Sequence, residues 1–229
     1  MRLINLFSRK SGIALEEDIK NAFTKARMFI EHRLGLPTKD AKLVKMVSKA
    51  LRDSNENNSA WALLKVRNRE NREKRSDGIK EHLDCRLVAC SWSGDIKACI
   101  QLLVDGADPN ARSHRGETAL MNMARHGRRK GTRLMLLAGA DVAMADNYGN
   151  TALSYAAEKG YKDTVKLLLE KMKQKIDDEQ GNQESYEKTL KKMRDIAKMA
   201  FEVAKGNDTK VEIAEFIIAT ESIAQTKTG

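Results

Sequence analysis

Apolar positions recur along the middle of the chain in short groups at helical spacing, each group closed by a glycine. Leu87 and Cys90 lead to Gly94, Leu120, Met123 and Ala124 lead to Gly127, and Leu153, Ala156 and Ala157 lead to Gly160. A glycine at that point tolerates the left-handed backbone that commonly follows a helix. A second apolar group follows each glycine: Leu102 and Leu103, then Leu134, Leu136 and Leu137, then Leu167, Leu168 and Leu169. The first two of these end in Gly-Ala-Asp at Gly106 and Gly139, and the polar links RSHRGE and DNYGN lead into the next group. The pattern predicts helix, turn, helix, turn, repeated. Leu87, Leu120 and Leu153 stand 33 residues apart, with no insertion between copies. A helix pair of this size cannot bury its apolar side alone, so the copies must stack.

The flanks also read as helix. Before the repeats, Ile19, Phe23, Ala26, Ile30 and Leu34 share one face of a helix from about Leu15 to Leu34, ended by Gly35 and Pro37. A second helix, Lys39 to Arg52, places Leu43, Met46, Val47 and Ala50 together, with Thr38 as its N-cap. A third starts near Ser59 with Trp61, Leu64 and Val66 and runs into RNRENREKR. After the repeats, the linker KQKIDDEQGNQE precedes a helix from Tyr186 to Lys205 carrying Leu190, Met193, Ala197, Ala200, Phe201 and Ala204 on one face. Gly206-Asn207 ends it, and Thr209 with Glu212 has the spacing of a capping box for a last helix through Ile218. Residues 186–222 therefore read as a divergent fourth unit.

The period, Thr118-Ala-Leu and Thr151-Ala-Leu, the mid-unit glycine and Gly-Ala-Asp together resemble the ankyrin repeat. The resemblance covers residues 82–172. It implies an all-α ankyrin-repeat solenoid of three clear repeats and a divergent fourth, with an N-terminal helical cap. The chain then divides into a basic helical region (1–80), three repeats (81–172), and a linker with C-terminal helical cap (173–229). Two departures from the family pattern stand out. The histidine expected after Thr-x-Leu is replaced by Met121 and Ser154, which predicts weaker ties between units. Gly131 falls where the family has a buried valine, and an interior helical glycine costs about 1 kcal/mol relative to alanine.

Composition narrows the class. Only 5% of residues are aromatic and two are proline, as suits a helical protein. No apolar run approaches the roughly 18 residues of a transmembrane helix, and the apolar stretch in MRLINLFSRKSG is too short for a secretory signal. Three cysteines, Cys85, Cys90 and Cys99, give no even disulfide framework and point to a reducing, cytoplasmic setting. With His82 they match no zinc spacing, so no metal and no cofactor are expected, and Cys90 and Cys99 read as small buried hydrophobes. Asp177 and Asp178 read as solvated linker. The net charge of +10 is uneven: residues 1–80 hold 19 basic and 10 acidic side chains, whereas residues 81–172 hold 13 and 11.

The family resemblance implies binding of another protein on the concave face, made by the hairpin tips and first helices. Matched by position, the tips are His114, Arg115 and Glu117, then Asn147, Tyr148 and Asn150. The first helices and their turns contribute Trp92, Asn122, Arg125, His126, Arg128, Tyr155, Glu158 and Tyr161. Such aromatic and arginine side chains are the types that anchor interfaces. A second reading takes Arg125, Arg128, Arg129, Lys130 and Arg133 as an anion site. With the basic N-terminal helices, that site would bind nucleic acid or an anionic membrane. Glu70 and Glu73, however, sit where they pair along the helix with the basic residues of RNRENREKR. A third reading places an enzyme in the terminal helices, although no catalytic motif or small-molecule substrate site is visible. The worn repeats among lysine-rich helices are also similar to ankyrin effectors that intracellular bacteria secrete into host cells. That likeness implies a role in virulence through a host protein.

Overall fold

A computed structural model describes residues 40–53, 59–179 and 181–226, with side chains through 223. By internal contacts the chain divides into Met1–Lys42 and Leu43–Gly229, and all the repeats lie in the second unit. The helix expected from Leu15 to Leu34 and its Gly35-Pro37 stop lie outside the described residues, as does the Thr38 cap.

Among the described residues there are ten helices: α1 (Ala41–Arg52), α2 (Ser59–Glu73), α3 (Asp77–Ser93), α4 (Ile96–Val104), α5 (Ala119–Arg125), α6 (Arg129–Ala138), α7 (Ala152–Glu158), α8 (Lys162–Asp178), α9 (Gln183–Val203) and α10 (Asn207–Thr226). They stack as pairs. The first helices α3, α5, α7 and α9 pack side by side in one row, and the second helices α4, α6, α8 and α10 in another. Between pairs, Arg112 bridges to Thr118 and Ala145 to Thr151, giving two antiparallel fingers. The core is the apolar set from the opening pattern: Leu87, Leu103, Leu120, Met123, Leu134, Leu153 and Leu168 are almost wholly buried.

Local chemistry starts and stops each helix. Thr118 Oγ1 accepts from Met121 N at 3.3 Å and Thr151 Oγ1 from Ser154 N at 3.3 Å, so the two threonines satisfy amides that a helix start leaves open. Ser154 Oγ completes the second cap by accepting from Thr151 N at 2.8 Å. Asp95 caps α4 in the same way through Ala98 N. At the end of α3, Gly94 adopts φ +81°. The Arg128 guanidinium lies so close that a β-carbon on Gly94 would collide with it.

The family histidine is absent, yet the units are tied. Asn122 Nδ2 donates to Ser91 Oγ at 3.0 Å and to Val88 O at 3.3 Å. Arg128 Nη1 donates to the carbonyls of Ser91 and Trp92 at 2.8 and 2.6 Å, closing the C-terminus of α3. The fingers join through Asn147 N to Arg115 O at 3.0 Å and Arg112 Nη2 to Ala145 O at 3.0 Å. Gly131 is buried, and a β-carbon there would press into Met123 and approach Ile96 Cδ1 to 3.0 Å. The neighbours' side chains occupy the space of the missing valine.

Several sequence expectations shift in detail. The linker 173–184 is mostly helix: α8 continues to Asp178 because Met172 and Ile176 are buried, and only residues 179–182 separate it from α9. Asp177 and Asp178 thus end a helix. Thr209 does not cap α10; it lies within the helix, and its hydroxyl donates to the Lys205 and Gly206 carbonyls, while Glu212 pairs with Lys166 at 2.8 Å. Val66 is exposed where Trp61 and Leu64 are buried. In α1, Val47, Ala50 and Leu51 are the buried residues, with Leu43 and Met46 half-buried. The first helix of the first repeat extends N-terminally to Asp77, beyond the segment matched by period.

Candidate functional site

The row of first helices and the two fingers carry the residues singled out in the sequence. The middle of this face is one connected group. The Arg125 guanidinium lies 3.9 Å from the centre of the Tyr155 ring and 5.6 Å from that of Trp92, and Nη2 pairs with Glu117 at 2.7 Å. His126 meets Trp92 edge to face, with ring centres 4.8 Å apart. Tyr155 Oη donates to Asp146 Oδ2, which ties the first helix of the third repeat to its finger. Three repeats therefore contribute to a continuous strip in which a cation is held between aromatic faces, an arrangement that fixes long side chains in place.

The electrostatics follow from these partners. Burial works against the Asp146 charge, but the Tyr155 hydroxyl and the amides of Asn150 and Tyr148 outweigh it and hold the carboxyl below its usual range. Burial, with the Asp146 carboxylate beside it, pushes the Tyr155 hydroxyl up. Desolvation and the nearby Arg128 and Arg125 guanidiniums push His126 below the usual histidine range.

Placement separates the candidates. Trp92 is 50% exposed and Tyr148 76% exposed. His114, Arg115, Asn147, His126 and Tyr161 are also exposed, and Asn150 and Glu158 are half-buried. Glu117 is turned inward to Arg125. Asn122 has to be corrected: at 2% exposure it faces the neighbouring helix, where Ser91 and Val88 take its amide, so it is a tie between repeats rather than a partner contact.

The supposed anion cluster disperses. Arg125 is held by Glu117 and Tyr155, Arg128 closes α3, and Arg133 is buried beside a cleft of about 320 Å³ between α6 and α8. Only Arg129 and Lys130 of the five are exposed. A helix places residues a hundred degrees apart per step, so five basic residues in a nine-residue stretch need not converge.

The basic run of α2 is also occupied. Arg67 pairs with Glu70 at 3.0 Å and Arg69 with Glu73 at 3.6 Å along the helix. Asn68 Nδ2 donates to Ala107 O at 2.8 Å and Asn71 Nδ2 to Val104 O at 2.7 Å. Arg72 forks onto both Asp84 oxygens at 2.9 and 3.0 Å and reaches Gly106 O at 3.1 Å. The run is a staple that holds α2 across α4 and α6. Sequence spacing could show the pairs within α2, but not that its asparagines meet the open carbonyls at the end of α4.

Chemistry of other kinds finds little support in the geometry. Burial pushes the Cys99 thiol up to about 12 and raises Cys90, which is the opposite of an activated thiolate. Among the described residues no group of three or more His, Cys, Asp or Glu could hold a metal ion, and no helix is long and apolar enough to cross a membrane.

Stacked helix pairs with protruding fingers define a repeat solenoid. A family model for ankyrin repeats, in three copies, matches residues 87–180. That segment is an array of ankyrin repeats, a class whose members generally bind other proteins and are typically scaffolds without catalysis. A search of curated proteins returned no match.

Proposed function

We propose that the chain binds a partner protein across the fingers and first helices, with Trp92 and Tyr148 as its anchors. The observation that carries this reading is the exposure of two large aromatic side chains beside an ordered cation-aromatic strip spanning three repeats. An exposed tryptophan or tyrosine is a large apolar area that water solvates poorly, and truncating an interface anchor of this kind costs about 2 kcal/mol or more. Affinity capture from cell lysate with wild type and with the Trp92→Ala, Tyr148→Ala double variant tests it. Loss of a captured partner with an unchanged melting curve is expected, and full retention by the folded variant contradicts the reading.

The finer proposal is that the partner belongs to a host cell and the chain is a secreted effector acting in the host cytoplasm. It is supported by the likeness of the worn, lysine-rich array to such proteins. A translocation assay with the tail IATESIAQTKTG intact checks it; no delivery contradicts it.

A further inference from the structure

Carboxylates and cations of the repeats are divided unequally between internal and external work. Of the carboxylates from Asp84 to Glu158, Asp84, Asp105 and Asp108 hold α2 through Arg72 and Arg75. Asp95 caps α4. Asp141 takes Lys175 Nζ at 2.6 Å and anchors the extended end of α8. Glu117 and Asp146 brace the inner strip, and Glu158 pairs with Lys159 at 3.0 Å. Six of the eight pair with a cation of the chain, while Asp95 and Asp146 are held by backbone amides and, for Asp146, the Tyr155 hydroxyl.

The exposed cations of the same segment are not matched in this way. Arg115 stands on the first finger and Arg129 and Lys130 at the start of α6, past the opposite end of α5 from that finger, all exposed and in no ion pair among the described residues, while Arg112 on the same finger donates to Ala145 O. In addition, α6 begins at Arg129 with no acidic residue in its first turn and no side-chain cap. Cations at the positive end of a helix dipole are unfavourable for the helix itself. The first helices add aromatic surface, and there the Arg125 charge is paired with Glu117.

We infer that the partner of the concave face presents an acidic segment, whose carboxylates meet Arg115 and Arg129 while its apolar side chains lie against Trp92 and Tyr148. This rests on the concave-face reading and names the partner's chemistry. A protein segment fits better than a nucleic acid, because Arg115 and Arg129 stand at opposite ends of α5 and the arginines of the basic run in α2 are engaged in internal ties.

The test uses the full chain and a short fluorescein-labelled peptide alternating Glu with Leu and Phe, read by anisotropy against the same peptide with Gln for Glu. Oligothymidylate and phosphatidylserine vesicles are the comparison arms. Expected are binding of the Glu peptide alone, weakening as salt is raised, and a further loss of about fivefold for each of Arg115→Glu and Arg129→Glu, the scale of one exposed charge pair. Melting curves establish that the variants fold. No binding, equal binding of the Gln peptide, or indifference to both reversals overturns the inference. Equal binding of oligothymidylate or vesicles, lost in the same variants, also overturns it in favour of a general polyanion surface. Should capture of a protein partner depend on Trp92 and Tyr148 but not on salt or Arg115, the acidic-segment inference fails while the docking reading stands.

Discussion

Single side chains in this protein act mostly by filling or closing what a helix end or a neighbouring unit leaves open. Gly131 is instructive, since helix propensity alone marks it as a weakness whereas Met123 and Ile96 make it a fit. Gly131→Val should therefore destabilise by about 1–3 kcal/mol through overpacking, even though valine is the better helix residue. Urea unfolding of the two proteins measures it; a gain in stability would show that the site has room. Asp146 gives a pH-dependent counterpart. Its folded-state pKa is depressed, so its contribution is fully present above the ordinary carboxylate range and is lost as pH falls through the lower folded value. Unfolding free energy should fall more steeply between about pH 5 and 2 in wild type than in Asp146→Asn.

Elements show why some features were legible in advance and others were not. The helix pairs, their turns and their buried faces follow from apolar spacing and glycine position, because each is set within a few residues of its own chain. The far half of α8 was hidden, since KQKIDDEQGNQE is polar on average, while in the fold Ile176 is buried and Lys175 pairs with Asp141. Asn122 was misplaced for a related reason: it occupies an outward position by period, yet the adjoining Ser91 and Val88 draw it inward. The role of α2 depends on groups more than thirty residues away in sequence, which no local pattern carries. Arg72→Ala should cost about 1–3 kcal/mol, because it removes a two-pronged charged hydrogen bond and leaves Asp84 half-buried. Arg72→Lys should recover only part, since an ammonium cannot reproduce the fork. Thermal melts of the three proteins, with amide exchange at the end of α4, distinguish a staple from an ornament.

Across the molecule, the repeats depend on their flanks. In a linear array each unit is stabilised by its neighbours, and three units are about the minimum for an independent stack. Here α2 spans the second helices of two repeats, and α9 with α10 adds a further pair whose Lys205 N donates to Ala157 O at 2.9 Å. A fragment of residues 82–172 should therefore melt well below the full chain, and equal melting temperatures would remove the flanks from the account. The same stack orders the surface. Most carboxylates from Asp84 to Glu158 are turned to internal ion pairs, while Trp92, Tyr148, Arg115 and Arg129 remain exposed. Hydrogen exchange of the full chain, free and bound to its captured partner, tests this most directly. Protection confined to the two fingers, to α3, α5 and α7 and to the first turn of α6 is the predicted result, and protection centred instead on α4, α8 and the rest of α6 would contradict it.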